Sequence, residues 1–121
     1  MPDSKRLLWL GDTKADLAAA SEPVRRTMGF AIRAAQEGSK SADASPLKGA
    51  LREVVEVREN DEAGTHRLMY TVSLGDAVYV LDFFQKKSKS GIATPKIDVD
   101  RITKRLARAK RHHAESQKEI S

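Results

Sequence analysis

Apolar positions along the 121-residue chain change their spacing several times, and each change marks an element. Leu7-Leu8-Trp9-Leu10 is a short apolar run closed by Gly11, which reads as a strand. Asp12 or Thr13 can then cap a short helix running to about Ala20. Ser21-Glu22-Pro23 opens a second helix, with a capping hydroxyl followed by a proline tolerated in the first turn. Its apolar face is Val24, Met28, Ala31, Ile32 and Ala35, and Gly38 ends the run. Residues Gly38 to Pro46 are small and polar and read as a loop.

Beyond this loop the period shortens. Val54 to Arg58 predicts a strand, and Asn60 to Gly64 a turn. His66 to Leu74 and Ala77 to Gln85 predict two more strands, joined by Gly75-Asp76, a dipeptide that favours a tight hairpin. Gln85 to Gly91 is a basic loop. Thr94-Pro95 then opens a helix with the apolar stripe Val99, Ile102, Leu106 and Ala109, which frays beyond His113. The pattern predicts one α+β domain over residues 1–121. Its sheet is a small antiparallel meander, with two N-terminal helices on one face and a basic C-terminal helix.

Charge adds a direction to this picture. The net charge of +5 is unevenly placed: 11 basic and 13 acidic residues precede Gln85, whereas 11 basic and 4 acidic residues follow from it onward. A basic C-terminal third points to a polyanionic partner, and a well-hydrated helix face accounts for the same numbers. The absence of cysteine excludes disulfides, thiolate zinc sites and a cysteine nucleophile. Leu7 to Leu10 is too short for a signal-peptide core or a membrane span, so a soluble cytoplasmic protein is the expectation. No phosphate-binding glycine loop, paired-glycine fingerprint or HExxH pattern occurs.

Turn geometry fixes which residues meet. A two-residue turn at Gly75-Asp76 sets Leu74 opposite Ala77, Val72 opposite Tyr79, Tyr70 opposite Leu81 and Leu68 opposite Phe83, all on one apolar face. The opposite face then pairs Ser73 with Val78, Thr71 with Val80, Met69 with Asp82, and Arg67 with Phe84, with Lys86 continuing by alternation. A symmetric turn before Gly64 sets Val57 against Leu68 and Val55 against Tyr70, and so sets Arg58 against Arg67 on the exposed face. Two opposed arginines repel by a few tenths of a kcal/mol or more. Either an anion sits between them, or Glu56, Glu59 and Asp82 neutralise them as surface ion pairs worth about 0–1 kcal/mol. With an anion there, removing Arg67 would leave folding intact.

The order of short motifs carries a resemblance. These are Pro46-Leu47-Lys48-Gly49, Val55-Glu56-Val57-Arg58, His66-Arg67-Leu68-Met69-Tyr70, Phe83-Phe84-Gln85-Lys86-Lys87-Ser88, and Thr94-Pro95 with its basic helix. In this order they resemble the phage-derived, HigB-like branch of the RelE/ParE toxin superfamily, over about half of the chain, from Leu47 to Leu106. The resemblance implies a ribosome-dependent mRNA endoribonuclease of a type II toxin–antitoxin module. Its partners would be a cognate antitoxin with a helix-turn-helix, mRNA and the ribosome. It implies no metal or other cofactor: the ribose 2′-hydroxyl attacks the adjacent phosphate. Cations must then neutralise the phosphorane and other groups must move protons.

By the same resemblance, Arg58 and Arg67 clamp the phosphate, and Lys86 and Lys87 supply charge or a base. Phe84 stacks on a splayed base, and Lys48, Arg101, Lys104, Arg105 and Arg108 contact RNA. For the acid that some relatives place near the C-terminus, only His112 and His113 lie that way, and their adjacent spacing suits a metal poorly. His66 should point to the apolar face. A non-catalytic nucleic-acid-binding protein and a module that docks an acidic partner are the competing readings.

Overall fold

The computed structural model describes residues 4–86 and 95–120. Its elements are β1 (Arg6–Trp9), α1 (Thr13–Ala18), α2 (Glu22–Gln36), β2 (Ala44–Pro46), β3 (Val54–Asp61), β4 (Gly64–Thr71), β5 (Ala77–Lys86) and α3 (Lys96–Ile120), with a 3-10 turn at Gly49–Leu51. The strands form one sheet in the order β1-β5-β4-β3-β2. The class is α+β as expected, with α2 and α3 on opposite faces.

Both helical faces follow the sequence pattern. Val24, Met28, Ala31, Ile32 and Ala35 of α2 are buried against Val57, Leu68, Tyr70, Val78, Val80 and Phe83. Ile102, Leu106 and Ala109 of α3 are buried against Val54, Met69, Tyr79 and Leu81, with Val99 partly covered. Each buried aliphatic side chain contributes about 1.5–3 kcal/mol by leaving water, so two separate apolar layers hold one sheet between them.

The structure departs from expectation at five places. The sheet is mixed rather than a meander, because β1 runs parallel to β5, with Arg6 opposite Ala77 and Trp9 opposite Val80. That pairing spans most of the chain, and no local turn announces it. Part of the expected 38–46 loop is β2, which pairs Ala44 with Val57 and Pro46 with Val55. An edge strand tolerates the proline, whose missing N–H faces outward. The Ser21 hydroxyl does not cap α2; it donates to Asp61 Oδ2 at 3.0 Å. Helix α3 continues to Ile120, where Ala114 to Lys118 are mostly good helix formers.

The fifth departure is a bulge. Met69 faces Asp82 as expected, but Tyr70 faces Val80 and Thr71 faces Tyr79, leaving Leu81 as an inserted residue. Past it the alternation reverses, so Val78 and Val80 lie under α2 while Ala77, Tyr79 and Leu81 lie under α3. The β4–β5 connection is correspondingly longer than two residues, since the strands end at Thr71 and restart at Ala77. Both faces carry apolar side chains, and both are covered. A face expected to be exposed is therefore the seat of the second core.

Candidate functional site

The β3–β4 register is as expected throughout, from Val54 opposite Thr71 to Asp61 opposite Gly64. It sets Arg58 directly against Arg67, and β5 sets Phe84 against Arg67. The neighbouring row is Glu56, Met69 and Asp82. An Arg-Arg-Phe row thus lies one step from a Glu-Met-Asp row on the same face, because side chains two apart on a strand share a face.

The charges are joined diagonally between the rows. Glu56 is only 4% exposed, and its carboxylate accepts from Arg58 Nε at 2.8 Å and lies 3.4 Å from Arg67 Nη1. Arg67 itself is 2% exposed, whereas the Arg58 side chain reaches 39%. Burial pushes the Arg67 guanidinium below its ordinary value, the charge of Glu56 opposes that shift, and the charge of Arg58 adds to it. The anion between the two arginines is therefore the protein's own Glu56. Arg67 is a buried member of the network, not the exposed cation expected, and its loss carries a cost in stability.

Asp82 plays the matching part on the α3 side. Arg101 Nε donates to it at 2.8 Å and Arg105 Nη1 at 3.0 Å, and Arg105 also reaches the carbonyl of the bulged Leu81 at 2.9 Å. Arg101 bonds Asp98 as well and lies over the Phe84 ring, 5.5 Å from its centroid. Burial disfavours the charge on Arg101, but its hydrogen bonds to Asp82 and Asp98 prevail and hold the guanidinium above its ordinary value. Removing the carboxylate should free two arginines from a buried partner. Asp82→Ala is expected to lose about 3 kcal/mol of stability in denaturant titration, and α3 should be the helix that loosens.

Of the residues singled out from the sequence, Arg58, Arg67, Phe84 and Arg101 come together at one end of the sheet. Lys86 lies two pairs further on, opposite Thr65, and Lys87 lies outside the described residues. Arg105 is tied to Asp82 one turn along α3, while Lys104 and Arg108 stand exposed on that helix. Lys48 is exposed beyond β2 and outside the cluster. His112 and His113 are away from it too. His112 Nδ1 lies 2.7 Å from Tyr79 Oη, and Tyr79 is five positions from Phe84, or roughly 16 Å along the strand. The His113 ring sits where a Cβ on Gly75 would fall, at 2.7 Å, and Gly75 has φ +64.

His66 is 6% exposed and stacks on Phe83, as its alternation predicts. Its Nε2 lies 2.9 Å from Asp61 Oδ1, and that contact is the main cause holding the Asp61 carboxyl below its usual range. Among the described residues no group of three or more potential metal ligands is gathered, and no helix is long and apolar enough to cross a membrane.

The cluster offers a solvent-reaching guanidinium, Arg58, held by a buried carboxylate, beside an aromatic ring with a second, partly exposed guanidinium, Arg101, over it. Planar guanidinium groups bind phosphate oxygens bidentately, and the ring gives a base a surface to stack on.

Comparison with known proteins places the chain. No curated protein is similar enough to match it. A chain of the crystal structure of the toxin–antitoxin complex RelBE2 from Mycobacterium tuberculosis is 18% identical, with a TM-score of 0.48, over 69% of this chain and 99% of that one. The family described as "Phage derived protein Gp49-like (DUF891)" matches residues 15–107, which include all of α2, the β2–β5 strands and the arginine row. That is well over half of the sequence, and the chain belongs to the phage-derived Gp49-like family, a RelE/HigB-type toxin family.

Proposed function

We propose that the protein is the toxin of a type II toxin–antitoxin module and cuts mRNA on the ribosome. The observation that carries this reading is the Arg58–Arg67–Phe84 row, found within the region the family covers. Arg58 binds the scissile phosphate and stabilises the charge that develops when the ribose 2′-hydroxyl attacks it. The bond to the departing 5′-oxygen breaks, leaving a cyclic phosphate and a 5′-hydroxyl. Glu56 and Arg67 act from beneath by fixing the angle of Arg58. Lys86 and Lys87 add charge, and either lysine acts as base where crowding by like charges depresses its pKa.

Phe84 stacks on an unstacked base, with Arg101 held over the ring. Lys104 and Arg108 give α3 an exposed cationic side for ribosomal RNA. A cognate antitoxin holds the protein inactive in the cytoplasm until it is removed. A second reading, a binding module without catalysis, draws on a specific observation: Arg101 and Arg105 are already neutralised by Asp82. Expression without a partner separates the two. Growth arrest with a stop in translation is the expected outcome, and normal growth with verified soluble protein would leave only the binding module.

A further inference from the structure

The arginine row is not the last one on its face. Two residues further along their strands stand Asn60 and Thr65, directly opposite one another, with Lys86 completing the row by register. Side chains two apart share a face, so Asn60 follows Arg58 and Thr65 follows Arg67. Helix α3 packs the other way. Its Arg101 lies over Phe84, and its buried Ile102 and Leu106 join Met69 and Leu81, on the far side of the arginine row. Asn60 is exposed and Thr65 half-buried, beside the solvent-reaching Arg58.

The pair is fixed in one hydrogen-bonding sense. Thr65 Oγ1 donates to Asn60 Oδ1 at 2.8 Å, which commits the one hydroxyl proton of the threonine. Two kinds of group are left over. The Asn60 amide keeps both N–H groups, which make no other bond among the described residues, and Thr65 Oγ1 keeps its lone pairs. A donor thus stands next to an acceptor. In the backbone of a nucleic acid only the ribose 2′-hydroxyl answers both, accepting from the amide and donating to the threonine oxygen. A phosphate oxygen answers the amide alone.

Spacing says which ribose this is. Asn60 lies about 7 Å along the strand from Arg58, about one nucleotide step from a phosphate held there. We propose that Asn60 and Thr65 form a second subsite, which binds the 2′-hydroxyl of a nucleotide next to the one that is cut. The attacking hydroxyl is a different one, since its oxygen must reach phosphorus and its proton must leave. The subsite rests on the toxin reading for one point alone, the scissile phosphate at Arg58. What it adds is selection for RNA over DNA at a neighbouring position, before any bond is broken.

The probes are hexauridylate and hexaadenylate with their all-deoxy counterparts, titrated into the free full-length protein and followed by NMR. The parent should bind each ribose oligomer about fivefold to tenfold more tightly than its deoxy counterpart, the size of one or two hydrogen bonds. Asn60→Ala, on an exposed position, and Thr65→Val, a shape-conserving change in a strand, should each bring that ratio close to one. Neither should weaken the deoxy oligomers. If one variant does not fold, the other decides. Equal affinity of the parent for both sugars, or a ratio unchanged in the variants, would overturn the proposal. So would variants that weaken both sugars alike, as a merely structural pair would. A loss confined to one base, or no binding at millimolar concentration, would overturn it too. Growth arrest and cleavage enter none of these outcomes, so the subsite and the toxin reading fail separately.

Discussion

Arg67→Ala should lose about 3–5 kcal/mol of folding stability, a fall of roughly 10–20 °C in melting temperature for a chain of this size. The reason is the partner left behind. Arg67 is 2% exposed and Glu56 is 4% exposed, so truncating the arginine leaves a buried carboxylate with Arg58 as its remaining close cation and a void where the side chain lay. A buried ion pair adds little net stability over an apolar replacement, but breaking one partner alone is expensive. The double variant Arg67→Met with Glu56→Leu should therefore recover most of what the single variant loses. Thermal unfolding of the three proteins under one buffer measures this directly. A single variant as stable as the parent would mean that Glu56 and Arg67 are not coupled.

Arg58→Ala should do the opposite: little to the fold and much to the activity. Its side chain is 39% exposed, and its ion pair with Glu56 is half open to water, so about 1 kcal/mol or less of stability is at stake. Glu56 keeps Arg67 as its partner in this variant. On the proposed function the loss in mRNA cleavage is 10²–10³-fold, the usual size for one preorganised contact to a developing oxyanion. The pair of variants thus separates two kinds of arginine that stand directly opposite one another. One is built into the sheet; the other reaches out of it.

How much of this was legible in the sequence depends on the range of each contact. Helices α2 and α3 were readable to the residue on their buried faces, because period and amphipathicity are local properties. The β3–β4 register was readable because a short turn fixes it, and with it the opposition of Arg58 and Arg67. The parallel pairing of β1 with β5 was not readable, since it joins residues some seventy positions apart with no turn between them. The bulge at Leu81 was equally hidden. One inserted residue moved Val78 and Val80 under α2, and Tyr79 and Leu81 under α3.

The site was half legible for the same reason. The two arginines and Phe84 were found from register alone, but their depth was not, because the second core under α3 covers the face expected to be open. Glu56 was weighed only as a surface neutraliser. Its position two residues before Arg58 was the available signal, and burial turned it into the bridge of the network. Asp82 was missed as the anchor of α3, because its partners Arg101 and Arg105 come from a helix whose angle no sequence rule supplies.

On the proposed function, the arginine row cuts ribosome-bound mRNA through the 2′-hydroxyl. The most direct measurement is the chemistry of the new ends, taken from programmed ribosomes treated with the purified protein and with Arg58→Ala. The expected result is 5′-hydroxyl ends that a polynucleotide kinase labels without prior phosphatase, abundant with the parent and about 10²–10³-fold fewer with the variant. Ends carrying 5′-phosphate, or equal cleavage by a folded Arg58→Ala protein, would contradict it.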